Sequence, residues 1–215
     1  MVQIKACLFD LDGVIVDTAK YHYIAWKELA NELGFDFTEE DNERLKGVSR
    51  MRSLDILLEI GNKTLTEEEK LQYAEKKNTN YVSYIQKMQE DEILPGVKKF
   101  LTDLRNNGIK IALGSASKNA PLILNQIGLT SYFDEIVDGN SVANAKPDPE
   151  VFTKGASLLG VEPKDCVVFE DAVAGIEAAI AGGMYSIGVG DAETLSEANF
   201  VIKGFEEMTI DRLQF

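Results

Sequence analysis

The spacing of hydrophobic residues changes along this chain. Residues 4–9 form a short, mainly apolar run, which predicts a buried β-strand. Apolar residues then recur at intervals of three or four, as at Tyr23, Trp26 and Ala30, which is typical of amphipathic helices. No strand pattern interrupts this periodicity between residues 18 and 91. The first predicted strand is therefore followed by a long helical segment.

From residue 94 onward, apolar strand-like runs alternate with amphipathic helices that end at glycine. This alternation predicts parallel β-α-β units and an α/β fold with a doubly wound, Rossmann-type parallel sheet. The predicted strands cover residues 109–113, 135–137, 166–169 and 185–189. The predicted helices include residues 97–104, 123–127, 149–159 and 173–180, the last with Val173, Ile176 and Ile180 on one apolar side.

The two patterns predict two domains. We expect a Rossmann-like core made of residues 1–17 and 94–215, and a helical domain of residues 18–93 inserted after the first strand. Within the insertion, Thr66 and Glu69 have the spacing of a capping box at the start of a long helix. Two chain connections would join the domains, and such a neck can act as a hinge.

The composition restricts the possible partners. The 215 residues are 45% hydrophobic and 27% charged, as in globular proteins, and their net charge of −14 argues against binding to nucleic acid or anionic membranes. No apolar run approaches the roughly 20 residues of a membrane span, and the N-terminus lacks a signal-peptide pattern. Cys7 and Cys166 lie in apolar runs, so we expect buried, reduced thiols. We therefore expect a cytoplasmic monomer that acts on a small molecule.

Two aspartates end the first predicted strand. Asp10 and Asp12 are separated by one residue, and on extended backbone such residues point the same way. Gly13 allows a sharp turn directly afterwards. Ligands of open α/β sheets bind at the carboxyl ends of the strands, so this pair lies where such a protein has its active site. An acidic turn without a catalytic role is the alternative interpretation.

Three further polar segments follow predicted strands. The carboxyl ends of parallel strands share one edge of a sheet, so we expect these segments to converge with the aspartate pair. Each also has an ordinary structural alternative, respectively a helix N-cap, a surface lysine, and acidic residues that oppose a helix dipole. The segments are residues 115–119, residues 146–149 and Glu170-Asp171.

The residue types at this edge suit phosphoryl transfer. Asp10 is the candidate nucleophile, because a carboxylate can attack phosphorus and form an aspartyl-phosphate. Two negative groups repel each other, so the attack needs a divalent cation. The chain has a single histidine, so the metal ligands would be oxygens, which favours Mg²⁺ over zinc. The candidate ligands are Asp10, the Asp12 backbone carbonyl, Glu170 and Asp171.

Other side chains have chemically suitable positions. Asp12 fits the role of general acid and base. Ser115 follows a buried strand, where its hydroxyl and nearby backbone N–H groups can hold a phosphoryl oxygen. Lys146 precedes Pro147, which disfavours helix at the residue before it, and can neutralise charge on a transferring phosphoryl group. Asp148-Pro149 then has the form of an N-cap and a first helical residue.

In this order, the four segments resemble the motifs of the haloacid dehalogenase superfamily of phosphotransferases. The helical insertion resembles the α-helical cap of that family, and the resemblance covers essentially the whole chain. The segments that most closely resemble a bacterial sugar-phosphate mutase of the superfamily are Phe9 to Val14, Asp17-Thr18, Trp26, Leu45 to Arg50, Lys77-Asn78, Ser115 to Asn119 and Lys146-Pro147.

The resemblance implies a reaction, which is the interconversion of β-glucose 1-phosphate and glucose 6-phosphate through β-glucose 1,6-bisphosphate. It implies Mg²⁺ as cofactor and the bisphosphate as priming intermediate. Asp10 would carry the phosphoryl group while Asp12 shuttles the proton. Ser115 and Lys146 would hold the phosphate that is transferred.

The resemblance also implies how the rest of the substrate is bound. Arg50 would clamp the distal phosphate together with three residues of the segment after the second strand. His22 is included among the substrate-binding candidates, with a packed or capping side chain as its alternative. The clamp residues of that segment are Ser117, Lys118 and Asn119, and the residues expected to face the sugar are Trp26, Gly47 and Lys77.

Two other functions stay open. The same core could hydrolyse sugar phosphates as a phosphatase, and the difference lies in whether water reaches the aspartyl-phosphate. Arg50 favours the mutase, because a guanidinium binds phosphate bidentately, although a solvated arginine at a helix start is the alternative. The remaining hypothesis is a non-catalytic, metal-binding scaffold, against which the presence of Asp10, Asp12, Lys146 and Asp171 argues.

Overall fold

A computed structural model describes residues 3–45 and 48–215 of the chain. Within them, a six-stranded parallel sheet has the order β3-β2-β1-β4-β5-β6, which confirms the predicted doubly wound α/β fold. The strand β6 was not predicted. The strands are β1 (Ala6–Phe9), β2 (Lys110–Gly114), β3 (Glu135–Val137), β4 (Cys166–Glu170), β5 (Tyr185–Val189) and β6 (Phe200–Ile202).

The helices follow the predicted pattern. Their bounds are α1 (Ala19–Glu32), α2 (Glu39–Glu43), α3 (Arg50–Ile60), α4 (Glu67–Ile85), α5 (Val97–Asn106), α6 (Ala120–Gln126), α7 (Glu150–Leu159) and α8 (Val173–Ala181). One prediction about their faces is wrong. Val173 and Ile180 on α8 are 43% and 49% exposed, because the helix packs through Gly175, Ile176, Ala178 and Ala179 instead. Small residues allow this face to approach the sheet closely.

Contacts divide the chain into two compact units. We call Met1–Asp17 with Met88–Phe215 the sheet unit, and Thr18–Lys87 the helical unit. The segment before α5 belongs to the sheet unit, since Ile93 pairs with Val16 in an antiparallel bridge and the Leu94 N–H donates to the Ile15 carbonyl at 2.9 Å. The sheet unit therefore begins again a few residues earlier than the hydrophobic pattern predicts.

The sheet unit is buried on both faces of its central strands. Leu8 of β1 and Val168 of β4 pack with Phe152 of α7 on one face. Phe9 and Phe169 point to the other face, where their rings stack at 4.7 Å. Two buried faces explain why the first strand is a continuous apolar run rather than an alternating one. Cys7 and Cys166 are buried and unpaired, as expected.

The helical unit has its own core and well-defined helix starts. Its core is formed by apolar residues of α1, α3 and α4 with Phe37. The predicted capping box is confirmed, because the Thr66 N–H donates to the Glu69 carboxylate at 2.8 Å and the Glu69 N–H donates to the Thr66 hydroxyl at 3.3 Å. Among the described residues, no helix combines the length and the apolarity that crossing a bilayer requires.

Candidate active site in the sheet unit

The strand register brings the predicted segments to one edge of the sheet. Phe9 of β1 lies beside Leu113 of β2 and Phe169 of β4. Asp10 and Glu170 come directly after these paired residues, and the Asp10 N–H donates to the Phe169 carbonyl at 3.0 Å. The edge is therefore built by strands that are distant in sequence, as the parallel topology predicts.

Lys146 is the positive centre of this edge. Its ammonium donates to Asp10 Oδ1 at 2.6 Å and to Glu170 Oε1 at 2.5 Å. Its side chain is only 10% exposed and its Nζ lies 4.7 Å from the centre of the Phe152 ring. The alternative that Lys146 is a surface lysine is therefore wrong.

Three carboxylates lie close together here, and two of them accept hydrogen bonds from the Lys146 ammonium. Oxygens of Asp10, Glu170 and Asp171 all lie within 4.8 Å of one another. Glu170 is 1% exposed, and its second oxygen accepts the Ala172 N–H at 2.9 Å. Glu170 ends β4 just before α8, where an acid can oppose the helix dipole, but it also accepts the Lys146 ammonium, so that alternative does not account for all of its contacts. The group carries more negative than positive charge.

Burial and this excess of negative charge together shift the pKa values of the group. Burial raises the pKa of the Glu170 carboxyl, and the nearby charge of Asp10 raises it further. Desolvation raises the pKa of Asp171 to about 8, with contributions from the charges of Asp10, Glu170 and Asp12, although the residue keeps an exposed surface. Desolvation opposes charge on Lys146, but the Asp10 and Glu170 carboxylates outweigh it and raise the lysine pKa. Glu170 and Asp171 therefore resist ionisation unless more positive charge is supplied.

A divalent cation fits this donor set. The cluster offers carboxylate oxygens, the ligands that hard cations such as Mg²⁺ prefer. A bound dication would also neutralise the charge that Lys146 leaves uncompensated, and that charge adds to burial in raising the pKa values of Glu170 and Asp171.

Two glycines allow the acids to approach. Gly13 has a φ of +76°, and a Cβ there would lie 2.0 Å from Asp171 Oδ2. A Cβ on Gly175 of α8 would lie 1.9 Å from the Glu170 carboxyl carbon. Directly before Gly13, Asp12 forms a parallel bridge with Val16, and its side chain is partly exposed. Glycine is therefore needed at both positions, because a side chain at either one would collide with a carboxylate.

The segment after β2 is a turn rather than a helix start. Ser115 is 2% exposed, its N–H donates to the Val137 carbonyl at 3.0 Å, and its hydroxyl accepts the Ser117 N–H at 3.1 Å. Helix α6 begins five residues later, so the N-cap alternative for Ser115 is wrong. Asn119 is the residue that precedes α6, and Lys118 is exposed. The chain after β2 therefore presents Ser115 through Asn119 in a compact turn.

The segment that carries Lys146 is fixed by a residue that we did not predict. The Glu150 carboxylate accepts the N–H groups of Ala143 and Asn144 at 3.0 and 2.8 Å. These bonds lower the Glu150 pKa. The sequence signal that could have identified Glu150 is its position as an acidic residue in the first turn of α7. Asp148 is not the N-cap residue as predicted, because that position is one residue later; its carboxylate accepts the Glu150 N–H at 2.9 Å.

Two substrate-binding candidates of the helical unit, His22 and Lys77, form a polar pair against aromatic rings. Lys77 is 3% exposed and donates to His22 Nδ1 at 2.8 Å. Its Nζ lies 4.6 Å from the Trp26 ring centre and 4.8 Å from that of Tyr81, on which the His22 ring stacks at 4.1 Å. Desolvation and then the charges of Lys77 and Arg50 hold the His22 pKa well below its usual value, so the ring is neutral and accepts from Lys77.

Arg50 is the first residue of α3. Its side chain is 32% exposed and donates to Asn78 Oδ1 at 2.8 Å, with Glu75 Oε2 at 3.5 Å. It is therefore held by α4 rather than fully solvated at a helix start. The remaining candidate, Gly47, lies outside the described residues together with Lys46.

Comparisons with known proteins agree with this arrangement. A family model described as haloacid dehalogenase-like hydrolase matches residues 4–183. The chain is 42% identical to a β-phosphoglucomutase of Bacillus subtilis over 97% of this chain and 93% of the relative. It is 32% identical to a phosphorylated carbohydrates phosphatase of Thermotoga maritima, covering 92% of each. A crystal structure of a Clostridium difficile β-phosphoglucomutase superposes with a TM-score of 0.92 at 48% identity, over 99% of this chain and 96% of that one.

Proposed function

The chain belongs to the haloacid dehalogenase-like hydrolase family, and on that premise we propose that it is a phosphotransferase that interconverts β-glucose 1-phosphate and glucose 6-phosphate through β-glucose 1,6-bisphosphate. The observation that carries the proposal is the pairing of Asp10 with Lys146 at the carboxyl edge of the sheet. Nearly full-length similarity to two β-phosphoglucomutases supports the choice of substrate.

In this proposal Asp10 is the nucleophile. One of its carboxylate oxygens attacks the phosphorus of the bisphosphate, a P–O bond forms, and the bond from phosphorus to the sugar oxygen breaks. Asp12 donates a proton to the departing sugar oxygen and takes a proton back from the attacking hydroxyl in the reverse step. The two aspartates are separated by one residue and are followed at once by the turn at Gly13, which supports this division of labour because both acids lie on one short segment.

Lys146 and Ser115 would hold the phosphoryl group during transfer. Lys146 already binds Asp10 at 2.6 Å, so its charge lies where negative charge must be compensated. Ser115 is held at the same sheet edge by the bond from its N–H to Val137. Both positions are fixed by backbone and buried contacts, which supports a preorganised site.

We further propose that Mg²⁺ is the cofactor. Asp10, Glu170 and Asp171 would hold it, because their carboxylate oxygens form the acidic group described above, and the Asp12 backbone carbonyl is proposed as a further ligand. When bound, the cation would reduce the repulsion between the carboxylate and the phosphate. The raised pKa of Asp171 supports a requirement for added positive charge at this place.

The rest of the substrate would be bound by two sets of residues. We propose that Arg50 and the turn after β2 bind the phosphate that is not transferred, because both present cationic or amide donors. The His22–Lys77 pair, with Trp26, is proposed to recognise the sugar. The turn residues are Ser117, Lys118 and Asn119, and Gly47 completes the set proposed for the sugar.

A sugar-phosphate phosphatase is the second candidate, since a phosphatase of Thermotoga maritima is 32% identical over nearly the whole chain. Product analysis separates the two. With β-glucose 1-phosphate, Mg²⁺ and a trace of bisphosphate, we expect glucose 6-phosphate to accumulate. Accumulation of glucose and inorganic phosphate without glucose 6-phosphate would show a phosphatase.

Buried, reduced Cys7 and Cys166 agree with our expectation of a cytoplasmic enzyme.

Two variants test the assigned roles. Asp10→Asn keeps the size of the side chain but removes the nucleophile, so turnover should fall below about a thousandth of wild type. Arg50→Ala should lower mutase turnover by roughly 100-fold through the loss of charge-assisted bonds to phosphate, while hydrolysis of a small phosphoester is retained. The matched control is Arg52→Ala, since Arg52 also lies on α3 but pairs with Glu59 at the surface. Mutase turnover that survives Arg50→Ala contradicts the clamp.

A further inference from the structure

The turn after β3 packs directly on the turn after β2. The Gly139 N–H donates to the Ser117 carbonyl at 3.3 Å, and a Cβ at Gly139 would lie 2.1 Å from the Ala116 carbonyl oxygen. Only a glycine permits this approach of backbone to backbone. Residues 138–141, which we call the β3 turn, therefore pack against the segment that contains Ser115 to Asn119.

The β3 turn is organised by a buried aspartate. Asp138 is 8% exposed, and its carboxylate accepts the Asn140 N–H at 3.1 Å, the Asn140 side-chain amide at 2.9 Å and the Ser141 hydroxyl at 2.7 Å. Burial opposes ionisation, but the bonds from Ser141 and Asn140 outweigh it and lower the Asp138 pKa. The Asp138 carboxylate is thus charged, and its three hydrogen bonds stabilise its own turn.

Asn140 connects this anchor to the neighbouring turn. Its Nδ2 donates to Asp138 Oδ2 at 2.9 Å and to the Lys118 carbonyl at 3.2 Å. A primary amide has two hydrogens, so both bonds can exist together. The Lys118 side chain is exposed, while its backbone carbonyl is held by Asn140, next to the Ser117 carbonyl that Gly139 holds.

We propose that Asn140 is a positioning residue that holds the Lys118 carbonyl, thereby places the Lys118 side chain, and so sets the affinity of the enzyme for the second phosphate of its bisphosphate substrate. This inference rests on the proposed function, which places Ser117, Lys118 and Asn119 at that phosphate. Asn140 acts through the Lys118 peptide and has no contact with the phosphate. The bond restricts the turn before substrate binds, so less conformational freedom is lost on binding.

The experiment compares Asn140→Ala with a matched control. Asn107→Ala removes the same kind of bond, from an exposed asparagine amide to the Asp103 carbonyl at 2.8 Å, at the end of α5. We expect Asn140→Ala to raise KM for β-glucose 1,6-bisphosphate about 3- to 10-fold, as for the loss of one hydrogen bond, with kcat changed less than about twofold. Hydrolysis of acetyl phosphate, which has no second phosphate, should change less than about twofold in both variants.

A double variant tests the route of the effect. If Asn140 acts by placing Lys118, the cost of Asn140→Ala should fall below about twofold in a Lys118→Ala background. An equal cost in both backgrounds overturns the proposal. So does an unchanged KM for the bisphosphate, or an equal loss with bisphosphate and acetyl phosphate, which would indicate a general structural role.

Failure of the proposed function is visible separately. If the wild type releases only inorganic phosphate and forms no glucose 6-phosphate, the mutase assignment is wrong. The Asn140 proposal is then judged by KM for hydrolysis of the bisphosphate against that for acetyl phosphate. A selective rise with the bisphosphate still supports it, and its absence overturns it.

Discussion

Replacing Lys146 by methionine removes the positive centre of the site while keeping a side chain of similar length. The ammonium lies 2.6 Å from Asp10 and 2.5 Å from Glu170, with only 10% of the lysine side chain exposed. At an effective dielectric near 20, each contact is worth roughly 6 kcal/mol, which the desolvation of the ions largely offsets. Breaking such a buried group by removing one partner costs about 3–5 kcal/mol, because the remaining charges are left uncompensated.

We therefore expect Lys146→Met to lose about 3 kcal/mol of unfolding free energy without divalent cations, or roughly 6–12 °C in Tm. The loss should grow with pH. Lys146 lowers the pKa values of Glu170 and Asp171, so these values rise further without it. An acid whose pKa is higher in the folded than in the unfolded protein destabilises the fold as pH rises between the two values. Lys146 itself stays protonated throughout this range, since its pKa is raised above 10.5.

Urea denaturation and thermal melts at pH 5.5 and pH 8, with and without Mg²⁺, measure this effect. Mg²⁺ should restore part of the stability, since it supplies the missing positive charge. The control is Lys99→Met, which removes a surface pair with Asp103 from a lysine that is 74% exposed and should shift Tm by roughly 2 °C or less. A Lys146→Met protein that is as stable as the Lys99→Met control, or equally destabilised at both pH values, would refute the reasoning.

Three further predictions concern other positions. Gly175→Ala should cost about 1–3 kcal/mol of unfolding free energy and lower activity, since the new Cβ would collide with the Glu170 carboxyl. Urea denaturation and turnover measure the two effects, and normal activity would contradict the prediction. Thr66→Ala should cost about 1 kcal/mol by removing the cap of α4, with turnover unchanged. Asp171→Asn should flatten the fall in stability of the metal-free protein between pH 4 and its pKa of about 8, as followed by thermal melts; an unchanged slope would show that Asp171 does not titrate there.

The sequence was sufficient for local structure and for the chemistry of the sheet edge. Periodicity predicted β3 and β5 to the residue, because short runs rich in β-branched residues between amphipathic helices are typical of parallel strands. The spacing of Thr66 and Glu69 predicted the start of α4, since a capping box involves only residues within one helical turn. Asp10 could be placed at the edge because the topology of parallel sheets puts all carboxyl ends together.

The face of α8 could not be predicted in this way. An apolar side through Val173 and Ile180 fits the periodicity, but the helix uses its small residues to approach Glu170 closely. Which side of α8 is buried depends on the distance between the helix and the sheet. That distance is set by tertiary packing and cannot be inferred from the sequence of the helix alone.

Side-chain partners were likewise decided by the tertiary structure. Lys146 meets Asp10 across 136 positions, and Asn140 meets the Lys118 carbonyl only because β2 and β3 are neighbours. Local sequence restricts the backbone through sterics and nearby hydrogen bonds, whereas charge pairing depends on distances of a few ångströms that packing sets. The sequence alone thus determined which residues reach the sheet edge, and the folded chain determined which of them touch.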